Sequence, residues 1–137
     1  MIKFTVFGKP QALKRHRSFQ RGKFRGQYDP SAGDKSDFLA KAMEHKPEKP
    51  IDGPIGLFVV AYFHRPKAHF GRRGGKPYLK DNAPKHHTST PDADNILKFI
   101  GDALNGVFWA DDKTICLERV IKKYSDTPRI ELLIHEI

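Results

Sequence analysis

The sequence contains one cysteine, Cys116, and this scarcity excludes several classes of protein. A single cysteine cannot form an intrachain disulfide or supply the paired thiolates of a structural zinc site. Long apolar runs are also missing, since the longest, Ile55 to Phe63, is about half the roughly 20 residues that a membrane helix needs. The chain does not open with the charged start and apolar run of a signal peptide. We therefore expect a soluble cytoplasmic protein.

Acidic residues are scarce in two segments of the chain. The sequence has 25 Lys and Arg against 16 Asp and Glu, a formal net charge of +9. Residues 1–30 and 64–88 together carry 15 of these basic residues and 2 of the acidic ones, so the rest of the chain has a net negative charge. Glycine and proline punctuate both segments, which predicts basic loops at about 9–29 and 64–88.

These basic loops point to nucleic acid as the partner. Lys and Arg displace the counterions condensed on a phosphate backbone, and the interleaved aromatic rings can stack on exposed bases. No amphipathic helix or lipidation signal indicates a membrane surface instead. A DNA-binding protein of the cytoplasm is expected to work at the nucleoid. The predicted DNA-binding residues are Lys9, Lys14, Arg15, Arg17, Arg21, Lys23, Arg25, Arg65, Lys67, Arg72, Arg73 and Lys76.

The hydrophobic pattern predicts one α+β domain spanning residues 1–137. Ten Phe, four Tyr, one Trp and a hydrophobic content of 38% are enough for one core, and a chain of this length leaves no room for two. The expected fold is a small mixed β-sheet with helices packed on it. Its predicted elements are a strand with Ile2, Phe4 and Val6 inward, a helix from Ser31 or Asp34 to about His45, a central strand Ile55–His64, a helix after Asp92, and strands Thr114–Tyr124 and Arg129–Ile137.

Finer details follow from the same pattern. The first helix is expected to turn Phe38, Leu39 and Met43 inward, and the second to end at Asn105-Gly106. Trp109 is expected to fill the core at the bend that follows. Cys116 is expected to be packed in a strand.

An acidic cluster interrupts the basic chain between residues 92 and 112. Lys98 is its only base, and Asp94, Lys98 and Asp102 share one face of a helix because they are four residues apart. If the bend at Trp109 turns the chain back beside the start of that helix, Asp111 or Asp112 joins Asp92 and Asp94. Three converging carboxylates would bind Mg²⁺ or Mn²⁺, which prefer hard oxygen ligands. Such an ion can activate water against a phosphodiester, and Lys98 can stabilise the charge that develops, so the pattern predicts a nuclease.

Each of these residues also has a purely structural interpretation. Asp92 suits a helix N-cap, Asp94 and Lys98 suit an exposed ion pair, and Asp111-Asp112 suits a turn. Zinc binding by His86-His87 is not expected, because adjacent side chains in a loop rarely chelate one ion.

Three stretches together resemble the RusA family of Holliday junction resolvases, which are common in prophages. They are Pro91-Asp92-Ala93-Asp94-Asn95-Ile96-Leu97-Lys98, Asp102-Ala103-Leu104-Asn105-Gly106 and Trp109-Ala110-Asp111-Asp112. The opening strand with Gly8-Lys9-Pro10 and the run Lys14-Arg15-His16-Arg17 are similar to the start of the family. The loop from His64 to Thr88 is long for it.

The resemblance implies a homodimeric, Mg²⁺-dependent endonuclease that nicks two opposing strands of a four-way DNA junction in recombination and repair. Mn²⁺ is expected to substitute, and no small-molecule cofactor is implied. Position by position, the resemblance puts Asp92, Asp94 and Asp112 on the metal-binding aspartates and Lys98 on the catalytic lysine. Asp111 lies beside the last aspartate and is expected as an additional ligand, and Asn95 falls near the site.

Two alternatives remain open at the level of sequence. Pro91-Asp92 followed by Asp111-Asp112-Lys113 fits the loose restriction-type nuclease pattern, in which Lys113 would be the catalytic lysine. The non-enzymatic alternative is a basic DNA- or RNA-binding module whose carboxylates only cap helices and balance charge.

Overall fold

Eight strands and two α-helices make up the computed structural model, which describes all 137 residues. Neither helix is long and apolar enough to cross a bilayer. In chain order the elements are β1 (Ile2–Phe7), β2 (Arg17–Arg21), β3 (Phe24–Tyr28), α1 (Ala32–Ala42), β4 (Ile55–Phe63), β5 (Phe70–Arg73), β6 (Lys76–Leu79), α2 (Ala93–Leu104), β7 (Ile115–Tyr124) and β8 (Arg129–Glu136), with short 3₁₀ turns at Met43–His45, Lys67–His69 and Asp112–Thr114.

Four of the strands form one mixed sheet in the order β1-β8-β4-β7. Strand β8 pairs antiparallel with both β1 and β4, whereas β7 runs parallel to β4. The turn at 125–128 therefore does not close a hairpin, because β4 lies between the two strands that it connects. The single α+β domain with a mixed sheet is confirmed.

The central position of β4 follows from its composition. Leu57, Val59 and Ala61 are buried on one face, while Phe58 and Val60 on the other face are only partly covered. A strand that is apolar on both faces is typical of the middle of a sheet, where neighbours on either side shield it. The predicted central strand is therefore confirmed.

Both helices are anchored in the core beneath the buried face of the sheet. The Phe38 ring of α1 meets the Phe99 ring of α2 edge-on, with 5.8 Å between their centroids. The expected inward position of Met43 is wrong, because this side chain is 40% exposed and Ala42 is buried instead. The α-helix ends at Ala42 and continues as a 3₁₀ turn, whose tighter winding changes the direction of the following side chains.

Trp109 closes the core beyond the end of α2, as predicted. Its side chain is fully buried, and its backbone oxygen accepts a hydrogen bond of 2.8 Å from the Gly106 nitrogen. The connector after α1 holds the same bend, because Ile51 exchanges backbone hydrogen bonds with Phe108 and Ala110 at 3.0 and 2.9 Å. One large side chain thus fixes the approach to Asp111-Asp112.

Replacing Trp109 with Ala should lower the free energy of unfolding by about 3–5 kcal/mol, the usual cost of a large aromatic cavity. Equilibrium urea denaturation measures this loss. Trp109→Phe should cost clearly less, because it keeps most of the volume and removes an indole Nε1 that is buried without a hydrogen-bond partner. Equal losses for the two variants would show that the cavity is not the cause.

The two basic segments differ from the irregular loops that the sequence predicted. Each contains an antiparallel hairpin, β2-β3 in the first and β5-β6 in the second. Their turns contain Gly22 and Gly74, both with φ of +58°, a conformation that glycine adopts without a steric penalty. Phe19, Phe24 and Tyr78 lie exposed on these hairpins among the basic side chains. Glycine marked the turns correctly, but the short flanking strands have few apolar residues and gave no period of two.

Candidate metal centre and nucleic-acid interface

Asp92 stands at the N-cap of α2 without acting as a cap. Its backbone is extended and its carbonyl accepts from the Ile96 nitrogen at 3.2 Å, but its carboxylate makes no capping hydrogen bond. The side chain is exposed. Its carboxylate is therefore available to a ligand at the positive end of the helix dipole.

Asp94 and Lys98 lie one turn apart on the exposed face of α2, as their spacing predicted. Lys98 Nζ is 3.8 Å from Asp94 Oδ2, and the two side chains are 63% and 68% exposed. A pair so open to water contributes little to stability. Both side chains can therefore move to contact a bound substrate with little loss of folding free energy.

The Asp111-Asp112 bend forms a carboxyl pair. The Asp111 carboxylate accepts a hydrogen bond of 3.0 Å from the Lys113 backbone nitrogen, and this bond, with a further one from the Asp112 carboxyl, lowers the pKa of Asp111. Partial desolvation, followed by the adjacent Asp111 and then the charge of Asp102, raises the pKa of Asp112. Two carboxyls this close disfavour double ionisation, and a cation would relieve the repulsion.

The structure does not bring the predicted metal ligands into one cluster. No three Asp, Glu, His or Cys side chains of the single chain form a group that could hold one ion, so the joint binding of an ion by Asp92, Asp94 and Asp112 stays a prediction. The acid that raises the pKa of Asp112 from α2 is Asp102, which lies eight residues beyond Asp94, about 12 Å along the helix axis. The bend is tied to the connector at Ile51 by two backbone hydrogen bonds.

Asp102 itself is engaged in the fold. Lys35 of α1 lies 3.7 Å from the Asp102 carboxylate and 2.5 Å from that of Asp29. The hydrogen bond from Lys35, supported by the Ser31 backbone, lowers the pKa of Asp29. Among the five acids of the cluster, only Asp102 forms an ion pair with a basic side chain from another element.

The remaining four acids fit a hard divalent ion by donor type. Asp92 and Asp94 offer carboxylates at the start of α2, and Asp111 and Asp112 offer a mutually repelling pair after its end. Carboxylate oxygens are the ligands that Mg²⁺ and Mn²⁺ prefer. The donor set therefore suits such an ion.

A groove of about 650 Å³ opens beside Asp92. One wall is the segment after β1, which is held in place by Leu13 N donating to Asn95 O at 3.1 Å and Lys14 N donating to the buried Ser31 Oγ at 2.8 Å. Basic and polar side chains line it together with the start of α2, namely Lys9, Lys14, His64, His87, Asp92 and Asn95. Positive side chains and a helix N-terminus together suit a phosphate group.

The predicted DNA-binding residues fall into three environments. Lys9 and Lys14 line the groove, and Arg65 is used within the protein, since it donates to Pro84 O at 2.8 Å and lies over the Tyr124 ring at 5.3 Å. The others lie on or next to the two hairpins and are exposed, namely Arg15, Arg17, Arg21, Lys23, Arg25, Lys67, Arg72, Arg73 and Lys76.

The sequence analysis assigned no site role to two histidines that line the groove, and one of its other expectations failed. His64 and His87 line the groove, but in the sequence His87 cannot be told from its neighbour His86, which is exposed. Cys116 lies in β7 as expected but is exposed rather than packed, and its thiol donates to Thr114 O at 3.3 Å. It occupies an outer strand, which has a neighbour on only one side.

Basic hairpins, a groove lined by lysines and a helix N-terminus, and exposed carboxylates beside it are typical of a protein that acts on nucleic acid. The chain matches the family described as "Endodeoxyribonuclease RusA" over residues 8–135 and belongs to that family. It is therefore a member of a family of Holliday junction nucleases. Such nucleases are generally dependent on a divalent metal and act on branched DNA.

A relative covers nearly the whole length of this chain. The uncharacterized protein YqaN of Bacillus subtilis (strain 168) is 35% identical over 142 aligned residues, which span 99% of this chain and 96% of the relative. The two sequences therefore align over nearly their whole lengths.

Proposed function

We propose that this protein is a Mg²⁺-dependent endonuclease that resolves four-way DNA junctions by paired symmetric nicks in recombination and repair. The observation that carries the proposal is the family match over residues 8–135 together with uncapped Asp92 beside a basic groove. We further propose that it works in the cytoplasm, at the nucleoid. Mn²⁺ should support the same reaction.

The chain's own groups divide into two tasks. Asp92, Asp94 and Asp112 would hold the ion, with Asp111 as a weaker ligand because the Lys113 amide already occupies its carboxylate. When bound, the ion would lower the pKa of a water molecule and neutralise charge on the phosphate. Lys98 would stabilise negative charge on the phosphate from the exposed face of α2.

Phosphate binding is assigned to the groove and the hairpins. Lys9 and Lys14 would hold the strand next to Asp92, while the basic hairpins would grip the arms of the junction. The exposed rings of Phe19 and Phe24 lie 5.8 Å apart on one hairpin and could stack on unpaired bases at the branch point.

The proposal is tested by cleavage of a synthetic four-way junction with and without Mg²⁺. We expect nicks at symmetric positions in two opposing strands with Mg²⁺, and intact junction in EDTA. A linear duplex of the same sequence is the control for branch selectivity. Binding without cleavage at every Mg²⁺ concentration would favour the non-catalytic module instead.

Two nicks across a twofold junction suit two copies of the chain, so we propose a homodimer. Light scattering should give twice the chain mass of 15.6 kDa. A monomer that retains its mass on junction DNA and still makes paired nicks would contradict this proposal.

The hairpin charges should determine the salt dependence of junction binding. Replacing Arg21 and Arg25, which are exposed, with Gln should reduce the slope of log Kd against log salt by about 1–2, since each phosphate contact contributes about 0.9. The measurement is fluorescence anisotropy of a labelled junction over a salt series in EDTA. The matched control replaces Lys46 and Lys49, which are exposed on the connector, and should leave the slope unchanged.

A further inference from the structure

His87 is a fixed, half-buried ring whose position the assigned site does not explain. It stacks on Phe63 with ring centroids 3.8 Å apart, and Tyr124 meets it edge-on at 5.2 Å. Its backbone nitrogen donates to Lys122 O at 3.0 Å, and neighbouring His86 forms a bridge with Lys123. Because β7 holds the backbone and two aromatic rings hold the imidazole, the ring has little freedom to turn.

The two ring nitrogens of His87 have different surroundings. Nδ1 is buried without a hydrogen-bond partner, whereas the ring lines the groove beside Asp92. A buried N–H without an acceptor is costly, so the proton of the neutral ring belongs on Nε2. Because the ring lines the groove and only Nδ1 is a buried atom without a partner, Nε2 is the donor available to a ligand there.

The surroundings of the ring also favour its uncharged form. Burial, and then the charge of Lys122, lower the pKa of His87. The other titratable groups that line the groove are Lys9, Lys14, His64 and Asp92.

We propose that His87 donates a hydrogen bond from Nε2 to a phosphate oxygen of the DNA strand bound in this groove, and so positions that strand against Asp92. Lys9, Lys14 and the N-terminus of α2 supply the positive field that draws a phosphate to this place. His87 donates its hydrogen bond in a fixed direction, because Phe63 and Tyr124 hold its ring in place. A lysine ammonium at the end of a flexible side chain is not held in this way. This inference rests on the proposed function.

The test uses His87→Phe, which keeps the ring stacked on Phe63 and removes both nitrogens. The melting temperature should equal or exceed that of the wild type, because a buried unpartnered nitrogen is lost. Cleavage of the four-way junction under single-turnover conditions should nevertheless slow by about tenfold to a hundredfold, the range for one hydrogen bond to a charged group. The affinity of His87→Phe for the junction in EDTA should also be lower than that of the wild type.

Three further variants separate the position of the donor from a structural role. The Gln amide reaches about as far as Nε2 and the Asn amide about as far as Nδ1, so His87→Gln should recover part of the cleavage and His87→Asn should not. His86→Phe, at the exposed neighbouring position, is the matched control and should behave as the wild type.

The outcomes are distinguishable from those of the proposed function. If the wild type cuts the junction and His87→Phe cuts and binds it equally well, the role of His87 is refuted while the nuclease stands. If the wild type binds but never cuts, the nuclease fails, and the affinities in EDTA still decide on His87. Should His87→Phe melt lower than expected, equal rates for His87→Gln and His87→Asn would overturn the inference.

Discussion

Asp94→Asn should cut a four-way junction at least about a thousandfold more slowly than the wild type, while binding it with similar affinity. Loss of one charged ligand removes the affinity for a hard cation and the charge stabilisation that it provides, which is a larger effect than loss of one neutral donor. Asp94 is 68% exposed, so the substitution leaves the fold intact. The measurements are single-turnover cleavage in Mg²⁺ and junction binding in EDTA.

The same loss is expected for Asp92→Asn and Asp112→Asn. Asp111→Asn should lose less, because the carboxylate of Asp111 already accepts a hydrogen bond from the Lys113 amide. Asp81→Asn, which makes the same charge change at an exposed position in the second basic segment, should cut normally. If Asp92→Asn and Asp94→Asn both cut at the wild-type rate, the metal site is assigned to the wrong residues.

Lys98→Ala should slow cleavage by about a hundredfold or more, whereas Lys113→Ala should retain most of the activity. Lys98 projects from the same face of α2 as Asp94, where it can stabilise charge on a bound phosphate. Asp111 uses only the backbone nitrogen of Lys113, which the substitution keeps. Single-turnover rates in Mg²⁺ compare the two variants directly.

This pair of lysines also separates the two nuclease hypotheses. The restriction-type pattern places its second acid and lysine within a strand, but Asp112–Thr114 forms a 3₁₀ turn and β7 begins only at Ile115. The local structure therefore favours Lys98. If Lys113→Ala were inactive in cleavage and Lys98→Ala were active, this assignment would be reversed. Both lysines are exposed, so each variant should unfold within about 0.5 kcal/mol of the wild type.

Local signals in the sequence predicted the elements that form the core. The alternation of Phe4 and Val6 gave β1, and the residues before Asn105-Gly106 gave α2 with its end at the right position. The spacing of Asp94 and Lys98 gave their shared exposed face, because helical geometry depends only on nearby residues. Family membership could also be predicted from the sequence, because the motifs that indicate it consist of residues close together in the chain.

What the sequence could not supply were the contacts between distant segments. Nothing in the local pattern says that β8 inserts between β1 and β4, that the Trp109 bend is tied to Ile51, or that the charge of Asp102 acts on Asp112.

The sequence by itself thus determined which residues carry charge, which segments form the helices and the central strand, and which family the chain belongs to. The tertiary structure decided the strand order, the hairpins in the basic segments and the different surroundings of His86 and His87. The physical reason is that helix and strand periods repeat over a few residues, whereas burial and the meeting of side chains depend on segments far apart in the chain.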